Sequence, residues 1–156
     1  MILYHTSSLE IQKPNVSFSR DRLDFGKGFY LTPLKEQAIL YGQRFIKRGE
    51  EAFLNTYELK ENIEDCKYKI FTSYNSEWLD YITACRKGLT HEKYDIIEGG
   101  IADDQVFNTL DLYLSGIYTK EQALDQLKYK KPNYQICITS QIIIEKHLDF
   151  LSSKKL

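Results

Sequence analysis

The stretch "DFGKGFYLT", Asp24 to Thr32, brackets Lys27 with two glycines and follows them with Phe29 and Tyr30. Glycine has no Cβ, so Gly26 and Gly28 have access to backbone angles and close approaches denied to other residues. Two readings follow. In one, the glycines make an ordinary turn into a strand, "GFYLT", with Lys27 as a solvated turn residue. In the other, they bring the main chain close to a flat, charged ligand that Tyr30 faces. The flanking segments have to decide.

Upstream, "MILYH" reads as a short strand, joined to the turn by the polar connection "TSSLEIQKPNVSFSRDRLD". Downstream, Leu34, Ala38, Tyr41 and Phe45 recur at helical intervals and predict one apolar helix face, with Tyr41 directed to the core. Residues 51–59, "EAFLNTYEL", read as a strand. Residues 75–88 read as a helix with Trp78, Ile82 and Cys85 on one face and Gly88 as its stop. "KYDIIEGG" (93–100) is a short apolar strand ended by a glycine pair. A helix then opens at Asp103 or Asp104 and ends near Gly116. Thr119 with Gln122 makes a capping box for a helix running to about Lys130. "NYQICIT" is a strand, and "SQIIIEKHLDFL" a final helix or mixed segment. Interspersed strands and helices predict one α+β domain over residues 1–156, built on a mixed or antiparallel sheet with flanking helices.

Composition narrows the function classes. Apolar residues make up 42% and charged residues 28%, the balance of a folded soluble chain. The net charge of −1 argues against bulk electrostatic binding to nucleic acid or anionic lipid. The two basic runs, "LKYKKP" (127–132) and the tail "SSKKL", read as a solvated helix end and a frayed C-terminus. Cys66, Cys85 and Cys137 are odd in number and widely spaced, which fits a reducing compartment rather than a disulfide framework. His5, His91 and His147 also stand far apart, so no metal site is expected. "MILYHTSS" carries no long apolar run or cleavage site, and no stretch is long enough to span a bilayer. A cytoplasmic protein with no membrane partner is the expectation.

Taken together, "LYHTS", "FGKGFYLT" and "EQAILYG" resemble the ADP-ribosyltransferase superfamily, on its poly-ADP-ribose-polymerase-like, diphtheria-toxin-like branch. That family has a first-strand histidine, a glycine-flanked strand ending in tyrosine, and a helix bearing a second tyrosine. "NYQICIT" sits where the family has an acidic residue before an apolar strand, with Gln135 in its place. The resemblance implies a compact split sheet of antiparallel and mixed strands with flanking helices. It implies nicotinamide adenine dinucleotide (NAD) as cosubstrate and no metal. Tyr30 and Tyr41 would sandwich the cationic nicotinamide ring, His5 would bind a ribose hydroxyl, and the Thr6 backbone would hold the carboxamide. Gly26, Gly28 and Phe29 belong to the same binding strand, and Arg20 would reach the pyrophosphate or make a surface ion pair.

Gln135 departs from the pattern, because an amide hydrogen-bonds but carries no charge to stabilise an oxocarbenium-like ribose. The resemblance therefore implies single transfer, mono-ADP-ribosylation of a protein or nucleic-acid acceptor, rather than chain elongation. Asp103 or Asp104 would supply a carboxylate as general base or ribose ligand, or simply cap a helix. The segment from "YDIIEGGIADDQVF" onward also resembles an uncharacterised bacterial, toxin-like family related to these transferases, often encoded beside a small partner, as in a toxin–antitoxin pair. Other readings stay open: a non-catalytic NAD, ADP-ribose or partner-binding module on the same scaffold, a relative that removes a 2′-phosphate from RNA, and, more remotely, a nuclease toxin.

Overall fold

Alternation of side chains across short strands builds two sheets, seen in a computed structural model that describes residues 1–102, 104–128 and 133–156. The elements run β1 (Ile2–Ser7), β2 (Phe29–Leu31), α1 (Lys35–Lys47), β3 (Phe53–Leu59), β4 (Tyr68–Ile70), α2 (Ser76–Lys87), β5 (Ile96–Gly100), α3 (Asp104–Leu114), α4 (Lys120–Leu127), β6 (Tyr134–Ile138), α5 (Gln141–His147) and β7 (Leu148–Lys155). Strands β1, β3 and β7 form an antiparallel sheet in that order. The second sheet, ordered β2-β6-β5-β4, is mixed, because β4 pairs parallel to β5. The α+β class follows directly.

Two apolar clusters set the layers. Leu3, Tyr57, Leu59 and Leu148 of the first sheet pack against Phe29, Ile96, Ile136 and Ile138 of the second, and Ile143 and Ile144 of α5 join them. The other face of the second sheet carries Ile97 and Cys137 under Trp78, Leu79 and Ile82 of α2, Val106 and Leu110 of α3, and Ala123 and Leu127 of α4. Burial of this many large side chains, at roughly 1.5–3 kcal/mol each, is the main force holding the layers.

The helix boundaries have local causes. Asn75 accepts from the Trp78 N–H at 3.0 Å, and Gly88 ends α2 in the left-handed region at φ 67°. The capping box at α4 is complete, with Gln122 N–H donating to Thr119 Oγ1 at 3.2 Å and Thr119 N–H to Gln122 Oε1 at 2.9 Å. Helix α4 ends at Leu127; the rest of the stretch read as helix, from residue 129, lies outside the described residues.

Three features differ from the sequence reading. Helix α1 buries Ala38 and Gly42, whereas Leu34 and Tyr41 are 44% and 47% exposed. A Cβ on Gly42 would lie 2.9 Å from Thr6 Cγ2, so small residues let the helix settle closely on β1 and turn its bulky residues outward. The C-terminal tail is not frayed; residues 152–155 form the second half of β7, paired along β3. A register shift opposite Thr56 and Tyr57 breaks the two-residue alternation there, and the strand's serines and lysines then read as a polar tail. Strand β4 is only three residues long and mostly exposed, which leaves no periodic signal.

The long connection before β2 is pinned from below. Buried Asn55 accepts from Ile11 N–H at 3.0 Å and donates to Leu9 O at 3.1 Å, and Tyr57 donates to Ile11 O at 2.6 Å. Among the described residues no helix is long and apolar enough to cross a membrane.

Candidate functional site

Strand β1 joins the two sheets at its outer edge. Tyr4 N–H donates to Thr32 O at 2.8 Å, and Thr32 N–H returns a bond to Tyr4 O at 2.9 Å. His5 Nδ1 lies 2.7 Å from Tyr30 O. A carbonyl can only accept, so Nδ1 carries the proton and Nε2 is left as an acceptor. The imidazole packs on Phe29 at 4.6 Å between centroids, and burial lowers its pKa against the opposing pull of the Tyr30 carbonyl. It is therefore a neutral imidazole at neutral pH.

Thr6 follows on the opposite face of β1, where its hydroxyl donates to Ala38 O at 2.7 Å and ties the strand to α1. The bonds of Met1 with Leu59 and of Tyr4 with Thr32 set the alternation along β1. By that two-residue repeat, the Thr6 N–H and C=O point away from β3, toward the side where β2 lies.

Tyr30 sits on the face of β2 opposite Phe29 and Leu31, packed among the cluster under α2 to α4. Its hydroxyl donates to Gly26 O at 2.5 Å and accepts from Phe25 N–H at 3.0 Å, closing the glycine turn on itself. Burial pushes the Tyr30 phenol upward, with Cys137 adding to the effect. Gly26 is left-handed at φ 77°. Gly28 serves a different close approach: a Cβ there would lie 2.9 Å from Ile138 O and closer still to Cys137 Sγ. The glycine pair thus folds the 24–28 loop onto β6. Phe29 is buried between His5 and Tyr57, and Arg20 is exposed, with no ion pair among the described residues.

Helix α1 is aimed at the start of β6 by Gln37, whose side chain donates to Tyr134 O at 2.9 Å and accepts from Tyr134 N–H at 3.0 Å. Tyr41 is one turn further along the same helix face. Its ring is edge-on to Phe45 at 5.9 Å and carries the Arg44 guanidinium at 5.2 Å.

Gln135 is buried at 8% exposure and pairs with Gly99 across β5. Its Nε2 reaches 3.5 Å from Asp24 Oδ2, a long contact. Asp24 also accepts from Ala102 N–H at 3.1 Å and from Arg86 Nε at 3.0 Å, with Arg86 Nη2 completing an ion pair. The Arg86 guanidinium lies 4.9 Å over the Phe107 ring. Asp104 opens α3, while Asp103 lies outside the described residues.

Sequence reading singled out neither Asp24 nor Arg86, although Asp24 is the first residue of the glycine motif. A second missed group is Glu98, 6% exposed on β5, where Tyr68 and Tyr134 hydroxyls both donate to its carboxylate, the latter at 2.6 Å. Burial raises both phenols, and the bonds to Glu98 add to it. Every oxygen of this trio is engaged, so it reads as a structural knot tied around the buried Glu98 carboxylate. Among the described residues no group of three or more His, Cys, Asp or Glu is arranged to hold a metal.

A family model described as a protein of unknown function, DUF3990, matches residues 1–150. The chain belongs to the DUF3990 family. That match spans every element from β1 through α5, and so His5, Asp24, Tyr41 and Gln135 are all part of the family domain. No curated protein and no solved structure matches the chain.

Proposed function

We propose that the protein is an NAD-dependent mono-ADP-ribosyltransferase acting on a protein or nucleic-acid acceptor, on a compact ADP-ribosyltransferase-like scaffold. One observation carries the reading. The four segments behind the family resemblance, the last of them about ninety residues beyond the others, are tied together by hydrogen bonds: His5 to the Tyr30 carbonyl, Thr6 to the Ala38 carbonyl, and Gln37 of the same helix to the β6 backbone beside Gln135. A chance likeness of short motifs gives no reason for that chain of contacts.

In this reading the outward Thr6 N–H and C=O take the nicotinamide carboxamide. Tyr41, half exposed, offers the cationic ring the face that Arg44 does not cover, a contact worth about 0.5–2 kcal/mol. Tyr30 closes the glycine loop from inside, and His5 Nε2 accepts from a ribose hydroxyl. Gln135 donates toward Asp24 and keeps its carbonyl oxygen for another ribose hydroxyl. The negative charge absent from Gln135 is then supplied by Asp24, in contact with its amide. Bond cleavage releases neutral nicotinamide and leaves an oxocarbenium-like ribose, which the acceptor nucleophile attacks while giving up its proton to a base. Asp103 or Asp104 serves as that base in the proposal.

A second reading has its own support. Arg86 neutralises Asp24, which leaves the pocket short of net negative charge and suits a module that binds NAD or ADP-ribose without cleaving it. In the first reading, the protein acts as a cytoplasmic bacterial toxin restrained by a small antitoxin partner. Incubation with dinucleotide labelled on the adenylate, with protease-treated and nuclease-treated cell extract, tests both. Label transferred to one extract class supports the transferase and names the acceptor class. Saturable binding without transfer selects the binding module, and neither result removes both.

A further inference from the structure

A cleft of about 690 Å³ opens at the opposite end of the four-stranded sheet from Gln135. Gln135 stands near the start of β6, whereas the cleft is lined by Thr139 and Ser140 just past its end and by Lys67 and Asp95 just ahead of β4 and β5. At about 3.3 Å per residue, Gln135 and Thr139 are roughly 13 Å apart along the strand. The volume falls within the range of small-ligand sites, about 300–1,000 Å³.

Four basic side chains face this space: Arg22, Lys27, Lys67 and Lys93. None of them enters an ion pair among the described residues. Two carboxylates share the cleft. Asp95 is engaged by the Lys67 N–H at 2.9 Å, and Asp21 is exposed. Positive charge is therefore in excess here, in a chain whose total charge is −1. Arg22 is held in the left-handed region at φ 58°, and its guanidinium lies against Gly88, where a Cβ would stand 3.2 Å from Nε. Backbone held in that region by a non-glycine residue costs on the order of 1–3 kcal/mol and concentrates at functional sites. The wall is aromatic. Tyr81 and Tyr94 stand 5.8 Å apart between centroids, and both line the cleft.

Uncompensated cations with ring faces beside them are the two elements that hold a phosphate and a base together. We infer that this cleft binds a phosphate-bearing nucleotide, with Arg22, Lys27, Lys67 and Lys93 on the phosphate and Tyr81 and Tyr94 beside the base. The cleft shares Gly26 and Lys27 of the glycine loop with the segment behind the transferase reading, but binding here needs none of His5, Tyr41 or Gln135. The nucleotide comes either free or as one unit of a single strand.

Titration with adenosine 5′-monophosphate, and separately with a short fluorescein-labelled single-stranded DNA, tests it. The readouts are calorimetry and anisotropy at two salt concentrations. Binding of the monophosphate assigns a free nucleotide, and binding of the DNA alone assigns a strand. Lys67→Glu with Lys93→Glu removes two exposed phosphate contacts and should weaken binding by about tenfold or more, with a shallower salt dependence. Tyr41→Ala, and Lys35→Glu with Lys47→Glu on α1, should leave it unchanged. Adenosine without phosphate should not bind. Equal binding of adenosine, equal binding by the Lys67/Lys93 variant, or no saturable binding of either probe overturns the inference. Far-ultraviolet circular dichroism confirms that the exposed substitutions leave the fold intact.

Discussion

Replacing Asp24 by Asn tests the centre of the proposed pocket, because one carboxylate there serves Arg86, Ala102 and Gln135 at once. The substitution keeps shape and removes charge. Arg86 is then left 19% exposed without its counter-ion, and the amide NH2 group must meet one of the donors that the carboxylate accepted. Breaking a fully buried pair costs roughly 3–5 kcal/mol. The pair is 13% and 19% exposed and Arg86 retains its place over Phe107, so about 2–3 kcal/mol is expected. For a chain of this size the melting temperature should fall by roughly 4–12 °C. Calorimetry of Asp24→Asn, Arg86→Met and the double variant reads the coupling. The double variant leaves no stranded charge, so its destabilisation should be smaller than the sum by about 1–3 kcal/mol. A single variant within about 0.5 kcal/mol of the parent, or strict additivity, would mean that Asp24 and Arg86 are not coupled in this way.

Other outcomes follow from the same packing. Gly28→Ala drives a Cβ to within 2.9 Å of the Ile138 carbonyl and should destabilise by about 1–3 kcal/mol in chemical denaturation, whereas an unchanged midpoint would place the loop elsewhere. Thr119→Ala opens the capping box of α4 and should cost about 1 kcal/mol by the same measurement. His5 has its folded pKa below 6.5, so the unfolded chain takes up a proton first as pH falls. The stability that neutral His5 contributes is complete above about pH 6.5 and declines below it, by at most ~1.4 kcal/mol per pH unit. His5→Gln should flatten that decline between pH 7.5 and pH 5; parallel curves for the two proteins would contradict it.

Much of the fold could be read where periodicity and end signals coincide. The α2 helix shows its Asn75 cap, its buried Trp78 face and its Gly88 stop, and the Thr119–Gln122 box marks α4. Legibility failed where tertiary packing overrode local pattern. Nothing local says that α1 would bury Ala38 and Gly42 in preference to Tyr41, because that choice is made by the close approach of Thr6. Strand β7 was hidden by a register shift that breaks its alternation, so polar residues paired to β3 looked like a tail. In the candidate site, His5, Tyr30 and Gln135 carry motif signals of their own. Asp24 meets Arg86 and Gln135 only after the sheet has closed, which brings together residues 62 and 111 positions apart in the chain.

Nicotinamide release from NAD by the purified protein decides whether the pocket is a transferase site. Release above the buffer rate is expected, reduced roughly two- to thirtyfold by Tyr41→Ala through loss of the stacking face, and reduced also by Gln135→Ala through loss of the ribose contact, with both variants folded. Release at the buffer rate, with and without cell extract as acceptor, or release indifferent to both substitutions, would contradict it.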